Sequence, residues 1–410
     1  MNLEVLNTGS ELLLGQVTNT HTGYFGRQLA SLGLRLARQT SVPDGEPIRT
    51  ALAECLTRAD IVLVTGGLGP TSDDLTRDLV AAHFGLALDH HPDIESTILA
   101  YFQKRGIQAP DSVRVQAQVP RGAAILANHH GTAPGFHLHH AGRHVFCLPG
   151  PPRELYPMFE NEVLPRLHSL LPDARPLCMQ TLRVHGMGES RVQELVEAPI
   201  LALGQIEIGY CARPGEVDLR LIAPDEPLLQ AAVACASALL AESIYATDDE
   251  TLESRVISLA REKNVFLATA ESCTGGFTAH RLTNVPGASA VLDRGWVTYS
   301  NESKTDLLGV PAGLLATHGA VSAPVAEAMA RGALERSRAT LAVSLTGIAG
   351  PDPGTKEKPA GLVFIGLAVK SRQGISVQCQ QKRLVPERET FKTMASQAAL
   401  DLVRRALLNL

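Results

Sequence analysis

The sequence predicts an α/β protein: two separate three-layer α/β domains joined by a small α+β domain. Three observations carry this. Residues 1 to about 165 alternate short apolar runs with stretches of helical period, the pattern of a mostly parallel sheet covered by helices. A second such alternation opens at Ala268-Thr-Ala-Glu-Ser-Cys-Thr-Gly-Gly276, where an apolar run hands over to a helix start. Between them the order changes to β-α-β-β-α. We place the boundaries at 1–170, 171–248 and 249–410.

Length and composition agree. A chain of 410 residues suggests two or three domains, and 45% apolar with 19% charged residues is ordinary for a globular protein with real cores. A net charge of −5 gives no electrostatic case for nucleic acid or an acidic membrane. No run approaches a membrane span, and the start Met1-Asn-Leu-Glu lacks a basic region and an apolar core, so a cytoplasmic location is expected. The 7 cysteines are odd in number and contain no C-x-x-C pair, which indicates neither a disulfide framework nor a zinc knuckle.

In the first domain, Leu3–Leu6 reads as a strand, Gly9–Gly15 as a loop, and Thr22–Leu32 as a helix stopped by Gly33. Leu34–Val42 reads as a strand and Pro47–Arg58 as a helix. Ile61-Val-Leu-Val64 is a continuous apolar run of the kind buried on both faces of a parallel sheet. Thr65-Gly-Gly-Leu-Gly-Pro-Thr-Ser-Asp-Asp-Leu-Thr76 follows it. Glycines there let backbone N–H groups approach a phosphate, and the next helix adds a positive dipole end. Asp73 and Asp74 suit a hard divalent cation bridging to phosphate oxygens. The structural alternative is that Ser72, Asp73 and Asp74 cap a helix Leu75–Phe84. His129, His130, His137, His139, His140 and His144 crowd one segment and read as a solvent-facing hairpin, with a metal site as the alternative. Prolines 149, 151 and 152 suit a rigid turn before a helix that continues to Leu170.

The middle domain begins after Pro172 and Pro176. Met179–Val184, Ile206–Cys211 and Val217–Ile222 read as strands, Glu189–Val196 and Pro227–Ser243 as helices. In the third domain a helix Thr251–Lys263 precedes the strand Val265–Ala268. Ala323–Arg338 and Glu389–Leu408 read as covering helices, Gly361–Ile365 and Ile375–Cys379 as further strands.

The chemistry concentrates in three loops of this third domain. Ser272 sits where a strand meets a helix, so the N–H groups of Cys273, Thr274, Gly275 and Gly276 would point at whatever Ser272 touches. Alternatively Ser272 is only the N-cap of the helix from Phe277. Gly295-Trp-Val-Thr-Tyr-Ser-Asn-Glu-Ser-Lys304 supplies a lysine, and a desolvated lysine can take a proton from serine. Leu341–Pro351 is another strand running into a Thr-Gly turn. Strand ends of an open sheet converge at one edge, which would bring Ser272, Tyr299, Lys304 and Thr346 to one site. Cys273 is a rival nucleophile, but it would need a base of its own.

These residues resemble a known family. Glu271-Ser-Cys-Thr-Gly-Gly276, Thr298-Tyr-Ser-Asn-Glu-Ser-Lys304, Gly319-Ala-Val-Ser322 and Thr346-Gly-Ile-Ala-Gly-Pro351 look like the C-terminal domain of the CinA proteins, itself similar to nicotinamide-mononucleotide amidohydrolases. The resemblance implies conversion of nicotinamide mononucleotide to nicotinate mononucleotide and ammonia without a cofactor. It makes Ser272 the nucleophile, Lys304 its base, and Tyr299 and Thr346 hydroxyl partners, with Thr274, Gly275, Gly276, Gly347 and Lys392 holding oxyanion or substrate. Asp352-Pro353 and Lys392 depart from the family pattern, which has Gly-Gly and arginine there.

Thr8–Gly15, Thr65–Thr71 with Asp73-Asp74, Gly131–Gly135 and Leu148–Pro152 likewise resemble the N-terminal half of CinA proteins and the MoaB-type molybdopterin-binding fold. This implies a metal-dependent (Mg, Mn or Co) ADP-ribose pyrophosphatase. Thr65, Gly66, Gly67, Gly69 and Thr71 would hold phosphate, and Glu11, Asp73 and Asp74 the metal or water. Ser10 stands where many members carry aspartate. The middle segment resembles the KH-type domain of CinA proteins, but Gly186-Met-Gly188 is not a basic GXXG loop, so a spacer or dimerisation role is expected in place of RNA reading. A homodimer is expected, with small nucleotides as partners. Two other readings remain: an N-terminal half that binds a phosphorylated ligand without turnover, and an interaction role in DNA uptake or repair.

Overall fold

The structure, a computed structural model, describes residues 1–410 and divides into two compact units, Met1–Leu177 and Cys178–Leu410. In the first unit the strands are β1 (Leu3–Thr8), β2 (Leu36–Val42), β3 (Ile61–Thr65), β4 (Leu88–His90), β5 (Gln118–Pro120), β6 (Ala124–Leu126), β7 (Gly135–His140) and β8 (Arg143–Leu148). A six-stranded sheet runs β2-β1-β3-β8-β7-β6, parallel from β2 to β8 and antiparallel beyond. Alternation along its central strands explains their unbroken apolarity. Val5, Leu63 and Phe146 face one layer with Phe25 and Phe159, while Leu6, Val62, Val64 and Val145 face the other with Leu52 and Val80. The carboxyl ends of β1, β3 and β8 therefore release their loops at one edge. Gly9–Gly15 is not all loop, since Ser10–Leu13 forms a helical turn.

The second unit holds two sheets. β9 (Cys178–His185), β10 (Glu207–Arg213), β11 (Glu216–Ala223) and β12 (Ile244–Thr247) pair antiparallel in the order β10-β11-β9-β12. Helices Glu189–Leu201 and Glu226–Leu240 pack on this sheet through Val192, Val196, Leu229 and Ala236. β12 escapes the sequence pattern because it has only 4 residues. This middle domain packs on the third domain. Gln397 donates to Glu216 (2.6 Å), and Arg404 donates to the Glu242 carbonyl (2.7 Å).

The other sheet runs β14-β13-β15-β16-β17: β13 (Leu267–Glu271), β14 (Leu292–Val297), β15 (Leu341–Gly347), β16 (Leu362–Ser371) and β17 (Gly374–Arg383). β13 is parallel to both β14 and β15, whereas β16 and β17 form an antiparallel hairpin. One face is built from Leu267, Val343, Leu345 and Ile365 under the helices Leu252–Glu262 and Arg388–Leu408. The other is lined by Ala268, Ala270, Ala342 and Ala368, small enough for the helix Ala323–Glu335 to lie close. Where the same helix meets the end of the helix Asn301–Leu308, a Cβ on Gly332 would overlap the carbonyl oxygen of Leu308. Gly332→Ala is expected to cost about 2 kcal/mol, as overpacking does, read as a lower urea midpoint with an unchanged slope.

Candidate active site

Ser272 follows directly on β13, the strand between the two parallel neighbours, and its N–H donates to the Leu345 carbonyl (2.9 Å). The next helix, Phe277–Thr283, is capped from an unexpected residue. Glu271 is fully buried, and its carboxylate accepts from the Thr274 hydroxyl (2.7 Å), the Thr278 N–H (2.9 Å) and the Ala279 N–H (2.8 Å). A carboxylate on those first N–H groups does what an N-cap does, with the dipole in its favour. Ser272 is therefore not the cap, and its hydroxyl is free for other work.

The hydroxyl meets Lys304. Helix Asn301–Leu308 starts at Ser300, whose hydroxyl accepts from the Ser303 N–H (3.1 Å) and so fixes the first turn. From that turn Lys304 reaches back beneath the sheet edge. Its Nζ donates to Ser272 Oγ (3.1 Å) and to the carbonyls of Thr298 (2.8 Å), Tyr299 (3.3 Å) and Ser300 (3.4 Å). Only 1% of Lys304 is exposed, and no carboxylate forms an ion pair with it. Burial, the largest cause, lowers its pKa, with Cys273 and Glu302 acting in the opposite direction. A dry amine with a lowered pKa, in hydrogen-bond reach of a serine, has the geometry of a serine–lysine nucleophile pair.

A cavity of about 290 Å³ opens over the pair, lined by Ser272, Tyr299, Lys304, Thr346, Gly347 and Arg388 among others. Tyr299 stands at the rim, 68% exposed. Thr346 is buried and its hydroxyl donates to the Ala320 carbonyl (2.8 Å), so it shapes the wall. Cys273 lines the cavity as well, but burial pushes its thiol up to about 12, which withholds the thiolate that would make it a nucleophile.

Four expected ligand contacts are corrected. Thr274, Gly275 and Gly276 lie off the cavity lining. The Thr274 hydroxyl is bonded to Glu271, and the Gly275 N–H closes a turn onto the Ser272 carbonyl (3.1 Å). Gly276 holds φ +92°, the left-handed start of the helix, which is why it is glycine. Of the N–H groups that follow Ser272, those of Cys273, Thr274 and Gly276 have no backbone acceptor, and of these three residues Cys273 lines the cavity. Lys392 also misses the cavity. It lies over the Phe277 ring (5.6 Å) and near Glu389 (3.8 Å). Arg388, one turn earlier, is the cation that lines the cavity, and one of its nitrogens donates to the Gly350 carbonyl (2.7 Å).

The N-terminal edge holds a larger cleft of about 420 Å³. Thr65, Gly66, Gly67, Gly69, Thr71, Glu11, Asp73 and Asp74 all line it, but several are differently employed than expected. The Thr65 hydroxyl donates to Asn7 (3.0 Å), and the Gly66 N–H donates to the Leu148 carbonyl (3.0 Å). The Thr71 N–H (2.9 Å) and its hydroxyl both donate to Asp74. The N–H groups of Gly67 and Gly69 have no backbone acceptor, and both residues line the cleft. Gly66 and Gly67 have φ +97° and +65°, and side chains there would collide with Thr8 and Thr76. Asp73 and Asp74 do not cap the following helix, Thr76–His83, whose start carries no side-chain cap.

The carboxylate that Ser10 lacks is supplied by Asp44, which accepts from the Ser10 N–H (3.0 Å) and hydroxyl (2.9 Å) and lines the cleft. Glu11, Asp73 and Asp74 do not form a ready-made metal set, since no three His, Cys, Asp or Glu side chains group in that way. The arrangement fits an ion brought in with substrate phosphates and held by one or two carboxylates. The histidine segment is a hairpin without a metal cluster, yet it is not wholly solvent-facing. His144 is buried, and His137 bonds to it (3.0 Å) while stacking on Phe146 (4.0 Å).

Two clefts at sheet edges, one beside a glycine loop and the other carrying a serine–lysine pair, define a multidomain α/β protein with a candidate site in each of its two larger domains. Residues 4–169 match the family described as probable molybdopterin binding domain, residues 179–246 the damage-inducible protein CinA KH domain, and residues 249–407 the CinA C-terminal domain. A CinA-like protein from Akkermansia muciniphila is 43% identical over 402 residues, covering 98% of this chain and 96% of its own. A relative from Caldicellulosiruptor bescii is 42% identical over 416 residues, covering 100% of both chains. A competence/damage inducible protein, CihA, from Agrobacterium tumefaciens is 45% identical over 38% of this chain and 93% of its own, with a TM-score of 0.36. The chain belongs to the CinA family. No helix in it is long and apolar enough to cross a membrane.

Proposed function

We propose that the C-terminal site deamidates nicotinamide mononucleotide to nicotinate mononucleotide and ammonia. The observation that carries this reading is the contact of 3.1 Å between Ser272 Oγ and the Nζ of the buried Lys304. Neutral Lys304 takes the hydroxyl proton as Ser272 Oγ attacks the carboxamide carbon. The oxyanion faces the Cys273 N–H, a kind of donor worth roughly 3 kcal/mol in acyl-transfer enzymes. Lys304 returns the proton to the departing nitrogen, ammonia leaves, and an ester on Ser272 remains. A water, deprotonated by the same amine, cleaves the ester and restores the hydroxyl. Arg388 supplies the positive charge on this cavity that a nucleotide phosphate requires.

For the N-terminal cleft we propose hydrolysis of ADP-ribose to AMP and ribose 5-phosphate. Gly67 and Gly69 N–H groups would face phosphate, with Asp73 and Asp44 next to a divalent ion that neutralises phosphate charge. A second reading, binding without turnover, is favoured by one observation: Asp74 is committed to Thr71 and no metal set is preassembled.

The test is ammonia release from nicotinamide mononucleotide with and without a chelator, alongside AMP formation from ADP-ribose with Mg, Mn or Co. Ammonia release is expected to ignore the chelator. Asp73→Ala with Asp74→Ala is expected to abolish AMP formation and leave ammonia release within about twofold of wild type, as for independent sites. Loss of both activities in a folded variant would break the two-site reading, and absence of AMP in the wild type would select the binding module.

A further inference from the structure

We propose that the N-terminal cleft continues into a second hollow that takes the base of a nucleotide, with Glu154 at the junction to hold the ribose diol. The assignment rests on the glycine loop of that cleft holding phosphate, as proposed above. The hollow, about 240 Å³, is lined by the helix Pro92–Gln103, by β6 and by the loop 127–134. Ile94, Ile98, Ile125 and Pro134 give it apolar walls, and His129 adds a ring. Its volume falls below the roughly 300–1,000 Å³ of a complete ligand pocket, which makes it one compartment of a larger site. No lysine or arginine lines it and Asp93 does, so it suits a base and repels a phosphate.

The two spaces meet at a few residues. Thr132 lines both. Asn128 lines the hollow and donates through Nδ2 to Glu154 Oε2 (2.9 Å), and Glu154 lines the cleft. Gly131, on the hollow's wall, has to be glycine, because a Cβ there would overlap the Glu154 carboxylate. With phosphate on the Gly67–Gly69 loop and base in the hollow, the sugar between them passes Glu154.

The partners of Glu154 leave one of its oxygens for that sugar. Asn128 fixes Oε2, and is itself fixed by donating to the Ala133 carbonyl (2.8 Å) and accepting from the His130 N–H (3.0 Å). Oε1 accepts no hydrogen bond, and the cation beside it, Arg153, is 3.8 Å away and 77% exposed. The Glu154 side chain keeps 11% of its surface open, and it is the cleft that it lines. A carboxylate anchored by one oxygen, with the other open to a phosphate cleft, is the group that accepts from ribose hydroxyls in dinucleotide sites. Of the two halves of ADP-ribose, the adenosine half occupies this wall.

AMP, 2′-deoxy-AMP and ribose 5-phosphate are the probes, measured by equilibrium dialysis against the full chain with Mg present. Wild type is expected to bind AMP about tenfold or more tighter than 2′-deoxy-AMP, the worth of a hydrogen bond to a charged group. Glu154→Gln keeps an acceptor for Asn128 and is expected to narrow that ratio to within about threefold. A carboxylate that only braced the loop would weaken both ligands alike and leave the ratio intact. Thr97→Trp, which fills the hollow from an exposed position, is expected to lower AMP affinity to that of ribose 5-phosphate and leave ribose 5-phosphate binding unchanged. It decides the matter should the Glu154 variant fail to fold. No AMP binding, equal binding of AMP and 2′-deoxy-AMP by wild type, or unchanged AMP affinity in folded Thr97→Trp would each overturn the proposal. AMP formation from ADP-ribose is read separately, so ribose-dependent binding without turnover would sink the hydrolysis and leave the subsite standing.

Discussion

Ser272→Ala is expected to cut ammonia release from nicotinamide mononucleotide by at least about 10³-fold, because no other group on the cavity can form the ester. The side-chain bond of Ser272 is to Lys304, and the capping of the next helix falls to Glu271. Removing one hydroxyl that bonds a still well-partnered amine is expected to change stability by no more than about 1 kcal/mol. The neighbouring Cys273 cannot take over, since its thiol is held near 12 by burial. Circular dichroism and AMP formation from ADP-ribose should match wild type. Residual ammonia release within about tenfold of wild type would show that the hydroxyl is not the nucleophile.

Lys304→Met is expected to lose kcat/KM to a similar extent, about 10³-fold or more, through loss of the base with the nucleophile intact. Methionine matches the stem but accepts no proton. Lys304→Arg is not expected to rescue, because a guanidinium stays charged. Stability carries a sign that checks the same assignment. The folded pKa of Lys304 is lowered, with burial the largest cause, so between that value and the ordinary lysine value the unfolded chain binds more protons. The contribution of Lys304 to stability therefore rises with pH across that window and is lost as pH falls through the folded pKa. Urea midpoints of wild type minus Lys304→Met should climb in that direction.

The strand–turn–helix junctions were legible because parallel strands announce themselves as apolar runs that end in glycine or hydroxyl loops. The same logic brought Ser272, Tyr299, Lys304 and Thr346 to one edge, where all four line the cavity. What sequence could not show was the direction of individual groups. Glu271 reads as a polar end to a strand, and nothing local says that it turns inward to cap a helix seven and eight residues on. Gly275 reads as an open donor until the turn onto Ser272 is seen. Arg388 and Lys392 are one helical turn apart, and only the placement of the helix start decides which lines the cavity. Asp44 is separated from Ser10 by a whole strand–helix unit, so its carboxylate had no local signal.

Lys304 as the working base is the claim on which the rest depends, and the pH dependence of kcat/KM for nicotinamide mononucleotide tests it most directly. The account predicts that wild type rises with pH through one ionisation below the ordinary lysine value of about 10.4, and that the trace of activity left in Lys304→Met is flat over the same range. The same rising limb in Lys304→Met, at the same position, would contradict it.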